Sequence, residues 1–272
     1  MKKTANFSLE LIKHKDYHIA LENFWQLVLS NLQPDYNLMD LKFSGQMINP
    51  YIPSVESFNK AIQNEIYIDV RDASDYLNTL LIDQRPKELV DIRLGTTQLD
   101  PKLLVYFFLE IAINICGIVW IDCGHNSIVR EKYIALGEQF NLHARSYHLF
   151  FWLNFLNHEE AARHGGDALL ELPFATRTEK LETGIFIQIG DSPEDVHTAE
   201  GKERLCRAMH WVYGLISLGR PLTEAEMDAF EMPPEIEYVA PNVLPHEELP
   251  PGIKAIFNSA SSFEDEEEED TL

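Results

Sequence analysis

The stretch His158-Glu159-Glu160-Ala161-Ala162-Arg163-His164 gathers two imidazoles and two carboxylates in one short run, the side chains from which zinc hydrolases are built. In the His-Glu-x-x-His motif the histidines are four residues apart, so a helix presents both on one face. Here they are six apart, and a helix rotates them by about 240°. The spacing predicts a solvated helix face and no metal. His14 and His18 have the four-residue spacing, but no third ligand lies nearby, and they are expected at the surface. Cys123-Gly124-His125 sets a thiol beside an imidazole at the end of a predicted strand, a place where nucleophiles occur. Such dyads depend on spatial arrangement rather than adjacency, and no oxyanion-hole pattern accompanies this one. No glycine-rich phosphate loop is present. The expectation is a protein with no catalytic residue, no metal and no cofactor. What remains is acid: Asp191, Glu194 and Asp195 lie between a predicted strand and a predicted helix, where they serve either as partner contacts or as a turn and helix cap.

The elements that position these residues follow from periodicity. Phe7 to Ile12 alternates as a strand, and Leu21, Phe24, Trp25, Val28 and Leu32 recur at helical spacing from Tyr17 to Leu32. Asn37 to Pro53 reads as a strand with a long loop and Ser54 to Gln63 as a capped helix. Glu65 to Val70 and Leu89 to Leu94 are predicted strands, with a short helix containing Tyr76, Leu77, Leu80 and Leu81 between them. Asp100-Pro101 opens a helix running to Ile115 that is apolar nearly all round, which places it inside the fold. The run from Leu103 to Ile121 approaches the length of a membrane span, but Glu110 near its middle would cost about 2.5–3.5 kcal/mol in a bilayer. A core helix followed by the strand Ile118 to Ile121 fits better. Ser127 to Phe140 reads as a helix, and the aromatic run Phe150, Phe151, Trp152 and Phe155 as a strand buried on both faces, with Trp152 structural. A helical segment ends at Gly165-Gly166. A hairpin-like pattern covers Thr178 to Ile189, where Ile185, Ile187 and Ile189 share a face. Lys202 to Ser217 is a helix stopped by Gly219 and Pro221, and Thr223 to Phe230 adds one or two further turns.

Composition bounds the rest. The 45% hydrophobic content of the 272 residues supports a sizeable core. Acidic residues outnumber basic ones 44 to 22, a net charge of -22. From Pro221 to Leu272 there are fifteen Asp or Glu against Lys254 alone, which leaves -8 for the first 220 residues. A surface this negative repels nucleic acid and anionic lipid and attracts a basic partner. The three cysteines, Cys116, Cys123 and Cys206, form no Cys-x-x-Cys pair and read as reduced, mostly buried thiols. No apolar stretch follows Met1-Lys2-Lys3, so a cytoplasmic protein is expected. The predicted organisation is a globular α+β domain over 1–220, with a mixed sheet and packed helices. An extended acidic, proline-rich segment follows over 221–251, and an acidic tail over 252–272.

The order of strand, helix, glycine pair, strand, acidic loop and helix across Tyr147 to Trp211 resembles the type VI secretion immunity family paired with VRR-Nuc nuclease effectors. The residues that carry the resemblance are Trp152-Leu153-x-Phe155-Leu156, Gly165-Gly166 and Gly184-Ile185-x-Ile187-Gln188-x-Gly190. The resemblance implies a cytoplasmic antitoxin that binds a cognate nuclease effector, sterically blocks its DNA-binding site and performs no chemistry. Neither nucleic acid nor membrane is an expected partner. Two other classes stay open: a small-substrate hydrolase using Cys123, His125 or His158, and an acidic scaffold or chaperone whose Glu264 to Asp270 run recruits a basic protein.

Overall fold

Strand β1 (Ala5–Ile12) alternates buried Ala5, Phe7, Leu9 and Leu11 with less buried Asn6, Ser8, Glu10 and Ile12, the period of a strand covered on one side. We describe residues 4–32, 39–43, 46–48, 58, 63, 67–72, 79–97, 100–124 and 151–228 of a computed structural model. Around β1 are β2 (Met39–Phe43), β3 (Gln46–Ile48), β4 (Tyr67–Asp72), β5 (Thr79–Asp83), β6 (Leu89–Thr96), β7 (Ile118–Gly124), β8 (Leu153–Asn157), β9 (Arg177–Lys180) and β10 (Gly184–Gln188). Among the described residues these make one ten-stranded sheet in the order β3-β2-β4-β5-β6-β1-β7-β8-β10-β9.

The α+β class is the one expected, but the sheet is antiparallel at every described pairing rather than mixed. The physical reason lies in the crossover. Helix α2 (Pro101–Asn114) joins β6 to β7, and these two strands run parallel, yet β1 lies between them and pairs antiparallel with both.

Two helices cover the face of the sheet that carries Phe7, Leu9 and Leu11. Helix α1 (Tyr17–Asn31) contributes Leu21, Phe24, Trp25 and Val28, and α2 contributes Leu104, Phe107, Phe108 and Ile111. Phe107 meets Phe7 edge-on at 5.3 Å between ring centroids, and Trp25 stacks on Phe58 at 4.7 Å. Burying side chains of this size contributes roughly 1.5–3 kcal/mol each. The Asp100 carboxylate accepts from the Lys102 amide at 2.9 Å, so the N-cap expected of α2 is in place. Burial all round is not: Tyr106 and Ile113 are each 55% exposed, because α2 lies on the outside of its layer and only one side meets the sheet.

The opposite face is covered at the β8–β10 end by α4 (Ala199–Leu218). A second core forms there from Leu156, Ile185, Ile187 and Ile189 of the sheet region with Leu205, Ala208, Trp211 and Val212 of the helix. β8 and β10 are therefore buried on both faces, with Phe155 and Phe186 in the first core and their neighbours in the second. Helix α3 (His158–Arg163) and a 3-10 turn (Gly166–Glu171) link β8 to β9. A short helix, α5 (Glu224–Asp228), follows α4.

One expected element is corrected. Leu80 and Leu81 belong to β5, not to a short helix. Leu80 and Ile82 alternate into the first core, and pairing with β4 and β6 on either side outweighs the helix propensity of leucine. The described residues fall in a compact unit spanning Met1–Met232. Within it Leu222 and Met227 are buried in the second core, so Pro221–Asp228 is packed rather than extended. Most of the helix expected over Ser54 to Gln63 (of which Phe58 and Gln63 are described, both helical), the helix expected over Ser127 to Phe140, the remainder of the proline-rich segment and the acidic tail lie outside the described residues.

Candidate functional site

Trp152 and Gly190 meet at the end of β10. Ile189 donates its amide to the Trp152 carbonyl at 2.8 Å. Trp152, fully buried, donates its Nε1–H to the Gly190 carbonyl at 3.2 Å, and the Gln188 amide nitrogen donates to the same oxygen at 2.9 Å. The Gly190 amide in turn donates to Thr176 Oγ1 at 2.9 Å. Gly190 has φ of +90°, and a Cβ there would stand 2.6 Å from Asp195 Oδ2, so both its conformation and its close contact call for glycine.

That contact fixes the acidic loop. The Asp195 carboxylate accepts from the amides of Asp191 at 2.7 Å and Ser192 at 3.3 Å, and from the Ser192 hydroxyl at 3.3 Å. The Asp195 carbonyl accepts from the Thr198 hydroxyl at 2.7 Å, and Thr198 Oγ1 accepts from the Gly201 amide at 3.0 Å, which caps α4. The loop is thus tied to the helix it precedes. Of its three carboxylates, Asp195 faces inward and organises the turn, whereas Asp191 and Glu194 are exposed. The structure joins the two roles that the sequence offered as alternatives, and divides them between residues.

The other residues that carried the resemblance sit in packed or tightly turned positions. Leu153 and Phe155 are buried in the first core. Gly165 (φ +115°) and Gly166 (φ +62°) turn the chain after α3, and a Cβ on Gly165 would come within 2.4 Å of Leu215 on α4. A Cβ on Gly184 would lie 2.1 Å from the Leu156 carbonyl oxygen, since β8 passes directly alongside.

The two histidines of the 158–164 segment lie in different environments. His158 Nε2 lies 2.8 Å from the Glu182 carbonyl at the surface, while His164 is buried, with Nδ1 2.8 Å from the Glu160 carbonyl. The solvated face expected for this segment therefore holds for His158 but not for His164, which is buried. Among the described residues no group of three or more His, Cys, Asp or Glu is placed to hold a metal ion. Cys123 is fully buried, and burial first, then the neighbouring Asp122 carboxylate, pushes its thiol well above the ordinary range, the opposite of an activated nucleophile. His125 lies outside the described residues. Cys206 is buried too, whereas Cys116 is exposed.

Among the buried polar residues that the sequence did not point to are Asn154 and His210. Asn154 accepts from the Phe151 amide at 2.7 Å and donates to the carbonyls of Phe151 and Ile187, tying the entry of β8 to β10. His210 on α4 is held down to about 4 by burial and, secondarily, by the Arg207 guanidinium. An asparagine in an apolar run was the only available signal for the first, and a histidine on the apolar side of an amphipathic helix for the second.

No family model matches the chain, and no curated protein does. Among solved structures the fold is similar to that of a T6SS protein of Pseudomonas aeruginosa, with a TM-score of 0.54 and 14% identity over 76% of this chain and 73% of that one. The likeness is one of fold. Among the described residues no helix is long and apolar enough to cross a membrane.

Proposed function

We propose that this chain is a cytoplasmic immunity protein that neutralises a VRR-Nuc nuclease effector of a type VI secretion system by occupying its DNA-binding groove. The observation that carries the reading is the fold-level likeness to a T6SS protein over three quarters of the chain. Physical chemistry supplies the mode of action. A nuclease of this group offers DNA a basic groove around a carboxylate metal site, and a chain of net charge -22 is complementary to such a groove. Long-range attraction raises the encounter rate, and the bound protein then excludes DNA sterically. Asp191 and Glu194, held outward on a turn that Asp195 has already ordered, contribute carboxylates without a large loop-ordering cost on binding.

No step of this mode of action requires turnover, and the burial of the Cys123 thiol, which raises its pKa, argues against that residue as a nucleophile. The test is calorimetric titration of the purified chain into a VRR-Nuc nuclease effector of a type VI secretion system. A one-to-one complex is expected, with submicromolar affinity at low salt. A pair that shows no heat of binding and does not co-elute would contradict the proposal.

A further inference from the structure

We infer that the outer side of α2 is the contact through which two copies of this chain pair about a twofold axis, a pairing that goes beyond the immunity reading. Lys102, Tyr106, Leu109 and Ile113 recur at spacings of four, three and four residues, the repeat of a two-helix seam. At about 100° per residue they fall within an arc of roughly 60°. Leu104, Phe107, Phe108 and Ile111, which enter the first core, occupy the opposite side. A helix on the outside of its layer ordinarily shows water a polar face. α2 instead turns outward Tyr106 and Ile113, each 55% exposed, with Leu109 half-buried between them. Large apolar residues exposed singly are ordinary, but two aligned on one stripe mark a contact surface.

The stripe is complementary to itself, and this selects a second copy as its occupant. With a second α2 antiparallel to the first and the twofold axis level with the Phe107–Phe108 peptide, Tyr106 faces the partner's Leu109 and Ile113 faces the partner's Lys102. The Lys102 stem then lies on an isoleucine, and its ammonium reaches toward the partner's Glu110, one helical turn away. Glu110 is held at the border of the stripe by Asn114 Nδ2, which donates to it at 3.1 Å, and by the Tyr106 hydroxyl. An isologous pair requires this symmetry, in which one patch serves both subunits. α2 contains one lysine and one glutamate and is neutral, so the charge of -22 that repels two copies at long range is absent from the contact itself. A stripe without net charge is also a poor match for a basic groove. The Gly117 carbonyl, just past α2, accepts from the Ile12 amide at 2.8 Å, which brings the exposed Ile19 of α1 to the end of the layer where Ile113 stands. A helix of 14 residues is about 21 Å long, so the seam covers less than the ~800 Å² per partner of a standard interface, and pairing is accordingly weak.

The experiment is sedimentation velocity on the full-length chain from about 1 to about 200 µM, the range suited to an interface of this size, with each variant's thermal melt as the folding control. A concentration-dependent dimer is expected, and Ile113→Asp is expected to weaken it about tenfold while melting like wild type. Lys102→Glu is expected to weaken it about threefold, and adding Glu110→Lys to restore the wild-type value, a rescue that a local role for either residue does not give. A chain that stays monomeric at the highest concentration overturns the inference, as does a dimer that Ile113→Asp leaves unchanged. Should Ile113→Asp melt early, Lys102→Glu and its rescue decide, since Lys102 is exposed in the first turn of α2; wild-type pairing in Lys102→Glu then overturns it. A monomeric chain whose affinity for the VRR-Nuc effector falls in Ile113→Asp would identify the nuclease as the occupant, overturning the second copy and leaving the immunity reading standing.

Discussion

Gly184 and Gly166 show how one residue type is required for different reasons. At Gly184 an added Cβ meets the backbone of β8, with Leu156 O at 2.1 Å and Asn157 Cα at 2.8 Å, and backbone in a paired strand cannot step aside. Gly184→Ala should therefore lower unfolding free energy by about 2 kcal/mol or more, measured by urea denaturation. At Gly166 nothing lies within 4 Å and only the positive φ of +62° resists, so Gly166→Ala should cost about 1 kcal/mol. His210 gives a pH prediction with a definite sign. Its pKa falls from 6.5 in the unfolded chain to about 4 in the fold, because burial, aided by Arg207, disfavours the imidazolium. The unfolded chain then binds the proton more readily, so this contribution to stability is complete above pH 6.5 and is lost as pH falls toward 4. At about 1.4 kcal/mol per unit the loss is on the order of 3 kcal/mol. His210→Gln should flatten the stability profile between pH 6.5 and 4, and an unchanged slope would show that other groups set it.

At the scale of elements, α4 is the piece on which the C-terminal half depends. Its Thr198 cap satisfies the Gly201 amide and simultaneously holds the Asp195 carbonyl. Thr198→Ala should cost about 1 kcal/mol by chemical denaturation, and it should raise hydrogen exchange at the Asp191 and Ser192 amides, because the loop and the cap share one network. Elements with strong local signals were legible in the sequence. Phe7 to Ile12 alternates, α1 and α4 carry apolar residues at helical spacing, and Asp100-Pro101 and Gly219 mark helix ends through chemistry local to each residue. Two things were not. Leu80 and Leu81 carry no local preference strong enough to show that β4 and β6 will flank them. The placement of β1 between β6 and β7, which makes the sheet antiparallel, is a non-local pairing that no window of sequence contains. The neighbouring of Asp83, Asp91 and Glu10 across β5, β6 and β1 is hidden for the same reason, since register alone brings them together. The loop carboxylates were legible as residues but not as roles, because only the close approach of Asp195 to Gly190 distinguishes the inward acid from the two outward ones.

At the scale of the whole molecule, the property on which the proposed mode of action rests is the excess of negative charge, -22 over the 272 residues. If that charge steers association, raising ionic strength from 0.05 to 0.5 M should slow the association rate with the effector at least tenfold while changing dissociation much less, as stopped-flow fluorescence would record. The claim beneath all of this is that protection comes from stoichiometric occupancy. It is tested most directly by titrating the purified chain into a fixed concentration of active VRR-Nuc effector and following DNA cleavage. The account predicts a linear fall in cleavage with a sharp end point at one chain per effector. Complete suppression at a few per cent of that ratio, growing with incubation time, would show a catalyst and contradict it.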